Sequence, residues 1–110
     1  MDPERERQLD RIRLAFGSEG CAERRMFGGN AFMLHGNMAV GLMGTGELMV
    51  RVGPDAYEAA LEAEHARPMD FTGKPMRGYV DVDSPGWASD ADLQAWVDRG
   101  KEFAGTLPPK

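Results

Sequence analysis

The residues of this 110-residue chain best suited to surface chemistry lie in the block Glu23-Arg24-Arg25-Met26-Phe27-Gly28-Gly29. Two adjacent guanidinium groups beside two glycines, Arg24, Arg25, Gly28 and Gly29, could present planar donors and close-approaching backbone N–H groups to an anion or a partner carboxylate. The competing account is a bulge or bend at Gly28-Gly29 that leads into a sheet, with Phe27 in the core, since strand glycines commonly mark bends. Both stay open on the sequence.

Other chemistries find less support. The stretch Gly41-Leu42-Met43-Gly44-Thr45-Gly46 has neither phosphate-loop spacing and reads as turn glycine. His35 and His65 stand thirty residues apart with no ligand at helical spacing, so no metal is expected. Cys21 is the single cysteine, in a polar stretch between elements, and reads as an inert thiol. Asp81 and Asp83 share a strand face and would suit acid/base work only if buried together; a solvated strand end is the favoured account. No catalytic residue and no cofactor is therefore assigned.

The elements that must position these residues follow from patterning. Asp2 before Pro3 starts a helix whose Leu9, Ile12 and Phe16 recur at helical spacing, closed by Gly17 and Gly20. From Ala31 the texture changes to apolar runs, and Gly36-Asn37 signals a two-residue hairpin. That turn would pair Met33 with Val40 and Ala31 with Leu42; a second turn at Gly44-Thr45-Gly46 returns a third strand, Glu47 to Val52. Gly53-Pro54 opens a second helix, Arg67 to Phe71 is a short extended piece, Thr72 to Pro75 a turn, and Met76 to Asp83 a strand. Ser89 followed by Asp92 caps a last helix with Leu93, Trp96, Val97, Gly100, Phe103 and Ala104 on one face. The order gives an α+β domain on a single antiparallel sheet, a meander plus one or two further strands packed with about three helices.

The hairpin register sorts the meander into two faces. One holds Met33, Val40, Leu42, Leu48, Val50 and Val52; the other holds Phe32, Leu34, Ala39, Gly41, Met43 and Met49, with Glu47 and Arg51 at its margins. A one-sided sheet would be polar on the second face, so a helix or a second molecule is expected to cover it. The favoured function is a non-enzymatic interaction domain. Its candidate residues are Phe32, Leu34, Met43, Met49 and Arg51, with Arg24 and Arg25 at the rim, and it would bind a protein partner or self-associate as a homodimer. The alternative is a small-ligand or anion-binding protein, or a weak enzyme, using Arg24, Arg25 and the Gly28-Gly29 backbone.

Length and charge bound these choices. The chain is one domain long, residues 1–110, and 42% apolar with 28% charged residues, an ordinary soluble balance without a membrane span. Net charge −5 opposes the basic footprint of a nucleic-acid binder, so no direct nucleic-acid contact is expected. The charged N-terminus is no secretory signal, and with the lone cysteine it places the chain in the cytoplasm.

Arg25-Met26-Phe27-Gly28-Gly29, Phe32-Met33-Leu34, Gly36-Asn37-Met38, Glu47-Leu48-Met49-Val50-Arg51-Val52 and Pro68-Met69-Asp70-Phe71-Thr72-Gly73-Lys74-Pro75-Met76 together resemble the N-terminal domain of the TfoX/Sxy competence-regulator family. The likeness runs from the first helix to the C-terminus. It implies a secretion-chaperone-like α+β fold and no catalytic residues. Full-length members look like bacterial transcriptional co-regulators of competence that act with the cyclic-AMP receptor protein. This chain stops where their second, helical domain would begin, so a stand-alone N-terminal domain is expected.

Overall fold

The computed structural model describes residues 2–18, 20–26, 28–70, 73 and 75–109. Helix α1, Pro3–Phe16, starts as its sequence dictates: the Asp2 carboxylate accepts the Glu4 N–H at 3.0 Å, and Pro3 takes the first helical position. Gly17, at φ +85°, ends it. Helix α3, Asp90–Ala104, is capped by the Ser89 hydroxyl, which accepts the Asp92 N–H at 3.1 Å. Helix α2 is shorter than expected, Tyr57–Leu61, and buries Tyr57 and Ala60 while Ala56 stays exposed.

Six strands form one antiparallel sheet: β1 Cys21–Met26, β2 Gly29–Leu34, β3 Asn37–Leu42, β4 Leu48–Arg51, β5 Ala66–Asp70 and β6 Pro75–Val82. Their order is β1-β2-β3-β4-β6-β5, which with the three helices gives the expected α+β class. Strand β1 corrects the sequence analysis, where Cys21 lay in an inter-element stretch. Residues 22–25 are all exposed, while Cys21 and Met26 at the two ends pack one against each face's cluster, so no period-2 apolar signal marks the strand. The extended piece at Arg67 is β5; the turn expected from Thr72 to Pro75 and the core position expected for Phe27 fall on or include residues outside those described.

The first hairpin differs from expectation by one residue. Leu34 pairs with Asn37, so the two-residue loop is His35-Gly36, at φ +51° and +87°, a pair of positive values that suits a primed turn. Asn37 stays in the strand, buried, with its side-chain amide donating to the Pro108 carbonyl at 3.0 Å. Ala39 is then left over as a bulge, since Met33 pairs with Met38 but Phe32 with Val40. Phe32 and Leu34 thereby move to the face of Val40 and Leu42, and Met33 moves to the other. The expected Val40–Val50 and Leu42–Leu48 pairs are present.

Two clusters result. The helices cover the first face, where Phe16, Phe32, Val40, Leu48, Val80, Trp87 and Val97 pack as one core. Trp87, delivered by a single 3-10 turn at Ser84–Trp87, donates its ring N–H to the Val82 carbonyl at 3.2 Å. The second cluster holds Ala31, Met33, Met38, Met49 and Met69, with Met26, Met43, Met76 and Tyr79 packed against it. No described helical residue belongs to it. Long, flexible thioether chains lie against one another there and leave Met49 only 1% exposed. The expectation that this face needs a helix or a second molecule loses its basis.

Gly100 is where α3 meets the sheet: a Cβ there would stand 2.5 Å from the Ala39 carbonyl oxygen, backbone at the bulge. Alanine is the better helix former by about 1 kcal/mol, yet overpacking costs about 1–3 kcal/mol. Gly100→Ala is expected to lower the urea midpoint despite its gain in propensity; a raised midpoint would show that α3 does not sit on the bulge.

Candidate functional site

Strand β1 is an edge of the sheet, hydrogen-bonded on one side only, to β2. The Gly20 carbonyl accepts the His35 N–H at 2.9 Å, which turns even-numbered backbone groups toward β2. Glu23 and Arg25 consequently direct their N–H and C=O groups away from the sheet. The opposite edge is blunted: β5 carries Pro68, which has no N–H, and its register breaks between Pro68 and Asp70.

Side-chain direction alternates along β1. Glu23, opposite Phe32, and Arg25, opposite Asn30, lie on the helix-covered side; Arg24, opposite Ala31, and Met26 lie on the methionine side. Glu23 is taken: Arg13 of α1 donates to both its oxygens, at 2.5 and 3.1 Å. Glu23, opposed by slight burial and aided by Asp10, pushes the Arg13 pKa up. Arg24 and Arg25 have no carboxylate partner among the described residues.

The two arginines therefore do not act as one clamp. Arg25 joins Arg5, Met26, Gly28, Gly29 and Asn30 around a hollow of about 350 Å³. Arg5 lies between Glu4 and Glu6 on α1, a charge pattern that by itself suggests a solvated helix face. Its guanidinium instead donates to the Met43 carbonyl at 2.9 Å, and to the Leu42 carbonyl and Asn30 side-chain oxygen at 3.0 Å each. Nothing in its local sequence signals this, because the contact joins residues 38 positions apart. The glycines serve close approach: a Cβ on Gly29 would strike the Leu42 carbonyl oxygen, and one on Gly44 would come within 2.5 Å of the Gly28 carbonyl. The bend account of Gly28-Gly29 and a position beside Arg25 hold together.

The remaining candidates lie elsewhere. Phe32 is 0% exposed under the helices, and Leu34 is partly buried against the same core, so neither lies on an open apolar face. Met43 and Met49 belong to the methionine cluster. Arg51 lies 5.6 Å from the Tyr79 ring centre and 5.3 Å from that of Phe103, three strands from β1, roughly 14 Å along the hydrogen-bonding direction. It is no rim to Arg24. Cys21 is half-buried, and burial, with Glu23, raises its thiol pKa against the pull of Lys101. His35 and His65 are turn residues with positive φ. A second hollow, about 360 Å³ and mostly apolar, lies between the Gly53-Pro54 turn and Phe103 of α3.

Asp81 departs from expectation. It is 7% exposed, opposite Met49 of β4 and Arg67 of β5, and its Oδ1 has no hydrogen-bond partner. Arg67 reaches Glu47 at 3.4 Å, Asp83 at 3.2 Å and Asp81 only at 3.9 Å. Burial pushes the Asp81 carboxyl up to about 6; Arg67 pulls it down, while Glu47 and Asp83 push it further up. Asp83 is half-exposed, so the two aspartates are not buried together. Among the described residues no three His, Cys, Asp or Glu side chains gather as metal ligands.

The chain matches the family model of the TfoX N-terminal domain over residues 14–104. The chain belongs to that family. No curated protein matches it significantly. The TfoX N-terminal domain is associated with competence regulation and is not a known enzyme family. The matched span includes β1, both arginines and Asp81, whereas Arg5 precedes it.

A carboxyl held near 6 in the folded TfoX domain binds its proton more tightly than in the unfolded chain, where it titrates near 4. Ionisation of Asp81 therefore costs stability, increasingly as pH rises from about 4 to about 6, and fully above that. Asp81→Asn is expected to stabilise the protein by about 1–3 kcal/mol at pH 7.5 and to flatten this part of the pH profile. Urea melts at several pH values would check it; an unchanged slope would assign the dependence to other groups.

Proposed function

We propose that this domain is a non-enzymatic regulatory module that acts by holding a protein partner, or a second copy of itself, along β1. The observation that carries this reading is the open edge itself. The outward backbone groups of Glu23 and Arg25 meet no described residue, residues 22–25 are exposed, and Arg24 and Arg25 have no carboxylate among the described residues. An edge of this kind is a template for added strand, and natural proteins use it for peptide recognition. The contact proposed here follows the sheet edge and not the methionine face.

Family membership supports a link to transcriptional control of competence, and the acidic total of −5 supports action through protein rather than directly on DNA. A cytoplasmic site of action fits the lone cysteine; no described helix is long and apolar enough to cross a membrane. The hollow beside Arg25 also favours a second reading, capture of a small anion by Arg5, Arg25 and Asn30. Titration with inorganic phosphate, followed through the amide signals of residues 28–30, would reveal it.

The direct test uses the double variant Arg24→Glu with Arg25→Glu, which breaks no ion pair of the described structure. Capture of partners from native cell extract, or dimerisation by light scattering, is expected to weaken at least about tenfold. Equal capture by both forms, with circular dichroism unchanged, would move the interface away from β1.

A further inference from the structure

Within the proposed edge contact, on which this inference rests, the arrangement of charge specifies the partner. We infer that β1 receives an extended segment of another protein that carries two adjacent acidic residues. Adjacent residues of a strand point to opposite faces, so Arg24 and Arg25 cannot converge on one carboxylate. Each reaches a different side of the sheet: Arg25 toward the hollow with Arg5 and Asn30, Arg24 toward the methionine side beside Met26. A partner strand laid along β1 has the same alternation. Its neighbouring residues, and not residues two apart, meet the two arginines.

The backbone supplies the other half of the recognition. The outward N–H and C=O groups of Glu23 and Arg25 would join the incoming strand, while the side chains select its charge. Acids on both faces gain charge-assisted hydrogen bonds, and the carboxylate entering the hollow meets Arg5 as well as Arg25. A helical acidic segment would show its neighbouring residues about 100° apart around its axis and could not use the edge.

Charge also disfavours a second copy. Pairing two β1 strands would bring four arginines together, and the one acid of the segment, Glu23, is already held by Arg13 at both oxygens. Like charges opposite each other destabilise a strand pair. The same arginines that invite an acidic strand thus discourage self-pairing at this edge.

The probes are three short blocked peptides of valine and threonine, one with two adjacent glutamates, one with the glutamates two positions apart, and one with two adjacent lysines. The first is expected to bind the full chain at least about tenfold more tightly than the second, by calorimetry. Its binding should slow hydrogen exchange at the amides of Glu23 and Arg25. The Arg24→Glu, Arg25→Glu double variant should lose this peptide and gain the lysine one, a reversal that a merely unfolded variant could not produce. Equal affinity for both glutamate peptides, or no protection at Glu23 and Arg25, would overturn the inference. If extract capture still depends on the arginines in that case, the edge reading survives with a partner of other chemistry. A dimer that dissociates in the double variant would overturn the inference in favour of a second copy.

Discussion

A single leftover residue, Ala39, decides how this sheet is divided. With His35-Gly36 as the turn and Ala39 bulged, Phe32 joins Val40 beneath the helices and Met33 joins the thioethers on the far side. A slip of one residue exchanges every side chain of a strand between faces, so this offset determines which atoms α1 and α3 meet. Asn37 holds the offset through the Pro108 carbonyl, which couples the hairpin to the last residues of the chain. Gly100 lets α3 rest on the bulged backbone. The partition of the core and the seating of the longest helix are two consequences of one turn.

The arginines divide in a similar way. Arg5 satisfies carbonyls at the end of β3, Arg11 donates to the Trp87 and Ala88 carbonyls at 3.1 Å each, and Arg13 holds Glu23 against α1. Lys101 closes the C-terminal end of α1 by donating to the Phe16 carbonyl at 2.6 Å. These cations fasten helices to sheet and to one another, Arg5, Arg11 and Lys101 as donors to backbone carbonyls and Arg13 as a donor to a carboxylate. Against that background, two arginines side by side with no acid among the described residues are informative. They occur on the edge strand whose middle residues, 22–25, are all exposed.

Much of this was legible in the sequence wherever a local rule decided the outcome. Asp2 with Pro3, and Ser89 with Asp92, announced both long helices to the residue, since capping depends on neighbours in the chain. The Val40–Val50 and Leu42–Leu48 pairs followed from alternation. The turn did not, because Gly36-Asn37 and His35-Gly36 are both credible two-residue loops, and the one present sets Asn37 against the Pro108 carbonyl, seventy-one residues away. Strand β1 escaped notice because hydrophobic periodicity reports burial, and an unburied strand has none. For the site, adjacent arginines and glycines were visible; Arg5 and Asn30 were not, because only the fold brings α1 beside the end of β3. Asp81 read as a solvated strand end until β5 closed against it.

The methionine layer has a chemical consequence of its own. Met26, Met33, Met38, Met43, Met49, Met69 and Met76 line one face of the sheet. An aliphatic core of leucine and valine is inert toward peroxide, whereas each thioether can be converted to a polar, chiral sulfoxide and restored enzymatically. Met26, Met43 and Met76 are the partly exposed members, first in the path of an oxidant, and Met49 and Met69 lie deepest. Oxidative damage to this domain would therefore advance from the margin inward, loosening one side of the sheet while the helix-packed side, whose described core holds no methionine, stayed chemically untouched.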